Sequence, residues 1–384
     1  AEAAPTGHIF AMAATAIGWL GACWAWWSLR IAGGATASLE ASGADVLLWN
    51  PLRAAAWYLQ KLVVPWPQTN FAVWEMVPSA GVSAALLAIA AGGVLAGWLA
   101  WRRGRGGALL AGLCWTGLAI APSLATTLSG VAETPVAERY LYLPSAGFAI
   151  AVGALLAGAL PGLRTAAARR ALAVAFAVLC TGLLALCLQR GLVWQNDGRL
   201  WRDATAKAPG YALPWIELGK AQAAQGEADE SLGSFERARG AKGSAPTLAV
   251  ASYNTGLIHA QRNESFPAER AFRDAVTLDP GYARGYYGLG RIALARAMEP
   301  GPRPPEDRRS LLDQAAADLK RAIDASPGFA DAWLQLARVL EARGDTNAAL
   351  LAVGSAERID PRILSRPEVI ALRRSLEMRA AGGG

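Results

Sequence analysis

The chain has 384 residues, 53% of them hydrophobic, and a positive mean hydropathy, which excludes an ordinary soluble globular domain as the whole answer. Its net charge of +7 is uneven: residues 1–190 hold 11 Lys+Arg against 6 Asp+Glu, and the rest holds 26 against 24. The second half therefore lacks the basic excess that nucleic acid requires, and the surplus sits in short loops between apolar runs.

The chain begins Ala1-Glu2-Ala3-Ala4-Pro5 with neither an initiator Met nor the basic start of a signal peptide, as expected of a fragment. Apolar runs long enough to cross a bilayer follow at Ile9–Leu29, Ser79–Trp101, Ala108–Leu128, Leu143–Leu163 and Ala171–Leu188. Pro122, Pro144 and Pro161 fall near span ends. Ala54–Trp66 is too short to cross, carries Gln60 and Lys61, and ends at Pro65 and Pro67; it reads as an interfacial helix. The four cysteines, Cys23, Cys114, Cys180 and Cys187, lie inside apolar runs and read as packing residues.

Arg102-Arg103-Gly104-Arg105 and the Arg164, Arg169, Arg170 loop are short and basic, which places both in the cytoplasm. The loop between them then faces outward, and so does everything after Arg190. That loop reads Ala137-Glu138-Arg139-Tyr140-Leu141-Tyr142-Leu143-Pro144-Ser145. Arg139 offers a planar, permanently charged fork suited to phosphate. Tyr140 and Tyr142 combine apolar rings with polar tips suited to a headgroup or a sugar. Glu138 and Glu133 are candidates for acid/base work, and an interfacial anchor is the plainer reading of the same residues.

Gln189–Pro209 joins the halves, with Trp194, Leu200 and Trp201 expected to pack. Beyond it a period of about 34 residues marks tetratricopeptide repeats. Trp215, Leu218, Gly219, Phe235 and Ala238 mark the first. Gly256, Ala268, Phe272, Ala275 and Pro280 mark the second, and Tyr286, Leu289, Gly290, Ala315, Ala322 and Pro327 the third. Trp333, Leu336, Leu340, Ala349, Ala356 and Pro361 mark the fourth. Glu299–Pro305 is a proline-rich loop inside the third repeat. Gly256 and Gly290 are expected at helix crossings, and Gly301 in an open loop that accepts any residue. Pro367–Met378 reads as a capping helix and Ala380–Gly384 as a disordered tail. The inner-groove row Glu217, Asn254, Gly288 and Gln335 holds a single asparagine, so Asn254 is the candidate for capturing a peptide backbone. His8 and His259 are isolated, which offers no metal site and no histidine relay, and no cofactor motif is present.

The expected fold is all-α: a polytopic transmembrane helix bundle over residues 1–190, a connecting segment over 191–209 and a tetratricopeptide-repeat α-solenoid over 210–384. "AERYLYLPSAGF" resembles a signature of the membrane O-mannosyltransferases with tetratricopeptide repeats and of their bacterial relatives. Arg190-Gly191-Leu192-Val193-Trp194, then Leu200 and Trp201, resembles the stretch that follows the last span in that family. The resemblance covers the chain from about Asn50 to its end. It implies a glycosyltransferase of the bacterial inner membrane with extracytoplasmic repeats. Such an enzyme moves a sugar from a polyprenyl-phosphate donor to acceptor proteins, among membrane lipid, without nucleic acid. The family has about twice as many spans and places acidic catalytic residues in its first outer loop. Asp45 and Glu75 match no such motif, so the chain resembles the C-terminal half, with Glu138, Arg139, Tyr140 and Tyr142 on the donor side. The alternative is a non-catalytic, membrane-anchored scaffold for envelope proteins.

Overall fold

The computed structural model describes residues 44–103, 106–128, 136–163, 165–301 and 304–382. The expected span Ile9–Leu29 lies outside the described residues, as do His8, Cys23 and Glu133. The chain divides into two compact units, Ala1–Ala208 and Pro209–Gly384.

In the first unit, α1 (Ala44–Val63) is longer than its apolar part suggested and carries Pro51 within it. Ala54, Trp57, Tyr58 and Lys61 recur at helical spacing and are all buried. They form one stripe, packed with Ala72, Val77, Ile120 and Val136 around the Trp57 and Tyr58 rings. The helix stops where Pro65 and Pro67 would have to join it.

Next come α2 (Ala80–Arg102), α3 (Gly107–Leu128), α4 (Tyr142–Ala159) and α5 (Ala166–Val193). Among the described residues, four helical segments, corresponding to α2 to α5, are long and apolar enough to span a membrane. They coincide with the second to fifth expected spans. Pro122 lies inside α3 and not at its end, while Pro144 sits in the first turn of α4, where its missing N–H costs nothing. The 28 residues of α5 rise about 42 Å, more than the roughly 30 Å of a hydrocarbon core. Arg169 and Arg190 therefore both reach polar surroundings at opposite ends. The helices α3 and α4 touch backbone to backbone: a Cβ on Gly112 would stand 2.6 Å from the Gly147 carbonyl oxygen. Such contact between small residues drives helix association in lipid.

The connecting segment is itself helical. α6 (Asp197–Lys207) starts at Asn196, whose side chain accepts from the Arg199 N–H and so caps it. Trp194 is exposed instead of packed, with the Arg190 guanidinium 5.7 Å from its ring centroid.

The second unit is a run of helix pairs: α7 (Ala212–Ala224) with α8 (Ala228–Arg239), α9 (Ala245–Gln261) with α10 (Ser265–Leu278), α11 (Ala283–Met298) with α12 (Pro305–Ala325), and α13 (Ala330–Arg343) with α14 (Thr346–Ile359). A glycine on each of the first three inner helices lies under a side chain of its partner: Gly219 under Phe235, Gly256 under Phe272, Gly290 under Leu319. Phe272 also lies against Gly288 of the next repeat, which links neighbouring pairs. Pro305 opens α12 at a position where proline is favoured. Gly344 ends α13 in the left-handed conformation, at φ 87°.

The capping helix α15 (Pro367–Gly382) buries Val369, Leu372 and Leu376 against Leu334 and Val353. Its outer Arg373 pairs with Glu357 at 3.2 Å and Glu377 at 2.9 Å. The expected tail is corrected here: Ala380–Gly382 continue the helix, since its alanines favour one more turn.

Candidate functional site

The Glu138 loop is stitched to α1 and the loop after it. Val136 forms an antiparallel bridge with Ala72, and the Ala137 N–H donates to the Tyr58 hydroxyl at 3.2 Å. Glu138–Leu141 then winds into a 3₁₀ turn that leads into α4. With three residues per turn, adjacent side chains diverge by about 120°. Glu138 accordingly turns inward while Arg139 and Tyr140 stay exposed.

The Glu138 carboxylate accepts the Thr69 N–H at 2.8 Å and faces the Lys61 ammonium at 3.7 Å. Lys61 is only 7% exposed. It also donates to the Pro67 carbonyl and sits 5.5 Å from the Trp57 ring centroid. Burial pulls the Lys61 ammonium below its ordinary pKa, and the Glu138 charge pushes it back up. A buried cation of this kind is costly unless a carboxylate and a carbonyl receive it. Glu138 is therefore held in place.

The end of α5 joins the same corner. Arg190 pairs with Asp203 at 2.8 Å, and Lys207 reaches Asp203 at 2.7 Å and also the Gln68 carbonyl. Arg190 and Lys207 lie close enough to act on the Glu138 charge. Four cations, Lys61, Arg139, Arg190 and Lys207, thus face two carboxylates, both ion-paired. One buried guanidinium nitrogen, Arg190 Nη2, has no hydrogen-bond partner among the described residues. Arg139 lies 5.1 Å from the Tyr140 ring centroid, and Tyr142 is 79% exposed. The patch is electropositive, rimmed by tyrosine, and suited to an oxyanion.

Of the residues picked out in the sequence, Glu138, Arg139, Tyr140 and Tyr142 share this corner. Lys61, Thr69, Asp203 and Lys207 were missed as parts of it. Two signals pointed to them: a lysine continuing the apolar stripe of α1, and the Asp203/Lys207 pair at i,i+4 spacing.

The repeats present a second surface. A groove of about 630 Å³ opens between the inner helices, lined among others by Ile216, Lys220, Val250, Tyr282, Arg284 and Phe329. Asn254 donates its amide to the Val250 carbonyl at 2.7 Å, one turn back in its own helix. The other residues of its row are engaged as well. Glu217 pairs with Lys220 at 2.8 Å, Gly288 is buried against Phe272, and Gln335 bonds to Tyr287. The row is no asparagine ladder. Among the described residues, no three His, Cys, Asp or Glu side chains gather as a metal site would need.

A tetratricopeptide-repeat family profile matches residues 311–376. The chain contains tetratricopeptide repeats. Among solved structures it is similar to MamA, 20% identical, over 44% of this chain and 90% of that one, with a TM-score of 0.34. It is similar to residues 41 to the end of MamA from Desulfovibrio magneticus RS-1, 19% identical, over 48% and 95%, with a TM-score of 0.34. It is also similar to TTC0263, a thermophilic TPR protein of Thermus thermophilus, 24% identical, over 44% and 81%, with a TM-score of 0.36. No curated protein sequence matches the chain.

Proposed function

We propose that this chain is the C-terminal, substrate-holding half of a membrane glycosyltransferase. It receives a sugar on a polyprenyl-phosphate donor at the Glu138–Tyr142 corner and an acceptor protein on the extracytoplasmic repeats. The observation that carries this reading is the corner itself. Glu138 is pinned by Thr69 and Lys61, so Arg139 is presented outward at the end of apolar helices with two exposed tyrosines beside it. The partnerless Arg190 nitrogen adds a second donor for phosphate oxygen. Tyr140 and Tyr142 flank the headgroup, and the acidic catalytic residues belong to a part of the enzyme outside this chain.

The test is binding of a polyprenyl-phosphate sugar to the membrane-reconstituted protein. A charge-assisted contact is worth about 1.5–3 kcal/mol. Arg139→Ala should therefore weaken binding about tenfold to a hundredfold. Arg139→Lys keeps the charge without the fork and should recover part of the loss. Arg374→Ala, an exposed residue of α15, should change nothing. Unaltered donor binding by folded Arg139→Ala would sink the reading.

A scaffold without chemistry is the second reading. It is favoured by the pairing of both corner carboxylates, which leaves neither free as a base, and by the repeats, whose kind binds partner proteins. It predicts that Arg139 variants leave every binding property intact.

A further inference from the structure

The inner helices repeat a charge. Lys220 of α7, Arg291 of α11 and Arg338 of α13 occupy one register, each five residues after Trp215, Tyr286 and Trp333 respectively. Arg284 precedes Arg291 by seven residues, two helical turns, and so shares its face. Between these cations lie aromatic rings. Tyr253 meets Tyr282 edge-on at 5.5 Å, and Tyr287 meets Phe329 at 4.9 Å.

The carboxylates on this face already have partners. Glu217 pairs with Lys220 at 2.8 Å, Asp331 with Arg366 at 2.7 Å, and Glu341 with Arg379 at 3.6 Å. Glu368, beside Arg338 at the cap end, makes no ion pair among the described residues. Arg284, Arg291 and Arg338 likewise pair with no carboxylate among them; Arg291 lies over the Tyr287 ring at 5.6 Å. Three cations against one carboxylate remain open to a ligand. Burial raises the pKa of Tyr253, Tyr282 and Tyr287, so their hydroxyls stay protonated donors at neutral pH.

We propose that the groove of the repeats binds an extended acidic protein segment, its carboxylates on Arg284, Arg291 and Arg338 and its intervening residues on Tyr253 and Tyr287. This rests on reading the repeats as a protein-binding surface, and not on the reading of the membrane end. Its physical basis is a row of cations at one register, with aromatic surface between them to hold the chain that joins the charges.

The experiment uses the full chain in nanodiscs of zwitterionic lipid. The probes are three fluorescent peptides of about twelve residues, which extend to about 40 Å, the width of four helices packed at about 10 Å. One alternates Glu with Leu and Tyr; the others replace every Glu by Gln or by Lys. Anisotropy should show the Glu peptide binding at least about tenfold tighter than the Gln peptide. Arg291→Ala and Arg338→Ala should each weaken it about five- to tenfold. Arg270→Ala, on an outer helix, should leave it within about twofold. Salt raised from about 50 mM to about 500 mM should remove most of the preference.

Equal binding of the Glu and Gln peptides, unaffected by the arginine variants, overturns the acidic preference and leaves the protein-binding reading standing. Absence of binding by all three overturns both. A single-stranded RNA that displaces the Glu peptide at equal charge, and loses affinity equally in the arginine variants, also overturns it, because the groove would then read charge alone.

Discussion

The Phe272 ring gives the sharpest test of the repeat architecture. It is 2% exposed and packs against two glycines from different repeats. A Cβ on Gly256 would stand 2.6 Å from two of its ring carbons, and a Cβ on Gly288 2.7 Å from two carbons of the same ring. A buried ring held by two backbones has little room to retreat, so Gly256→Ala should incur overpacking near the upper end of about 1–3 kcal/mol. Replacing glycine inside a helix returns about 1 kcal/mol. The net loss is about 1–2 kcal/mol, or about 2–8 °C of melting temperature for a unit of about 180 residues. Thermal unfolding of residues 209–384, followed by circular dichroism, measures it. Gly354→Ala is the control: it lies in α14 with nothing within 4 Å of the added methyl, and should gain up to about 1 kcal/mol. Gly256→Ala combined with Phe272→Leu should cost less than the two changes summed, since the ring that clashes is gone. If Gly256→Ala melts as high as Gly354→Ala, the ring is not clamped and this packing is wrong.

Asp318 gives a pH test: burial pushes its carboxyl above the usual range, against the lowering effects of Arg321 and Arg273. The folded unit then holds this proton more tightly than the unfolded chain, so stability is lost as pH rises from the ordinary carboxylate value through the raised one. Asp318→Asn should be more stable than wild type at neutral pH and should flatten that part of the curve in denaturant titrations. Protease added to the extracytoplasmic face of spheroplasts should remove the repeats and leave the membrane helices; digestion that waits for the cytoplasmic face to be opened would reverse the orientation.

The repeats were legible because their rule is local. Small residues at a fixed period put Gly219, Gly256 and Gly290 where partner helices cross, and all three lie under a large side chain. Gly288 was not legible, because its constraint comes from Phe272 in the preceding repeat. Gly301 was misread as tolerant: it is open, but its φ of 144° disfavours any side chain. Sequence shows composition at such a site and not the torsion, which is why Gly354 is the better control. At the membrane end, Arg139 was legible from its type and place. The fate of Glu138 was not. Its partners Lys61 and Thr69 are 77 and 69 residues away, and such a pairing leaves no periodic trace. Asn254 was chosen for its side chain, which the structure shows returned to its own helix.

The stitching of Glu138 to Thr69 has a topological consequence of its own. Two points of a chain held within hydrogen-bonding distance lie on the same face of a bilayer. The chain between them must therefore cross an even number of times, and α2 and α3 supply two crossings. The same parity holds from Glu138 to Arg190, which acts on the Glu138 charge, with α4 and α5 between them. Thr69, Glu138 and Arg190 consequently share one side whatever the basic loops dictate. Shifting arginines between loops can turn the whole set over, but it cannot send one of the three across alone. An insertion that adds a single crossing between any two of them would have to break the corner first.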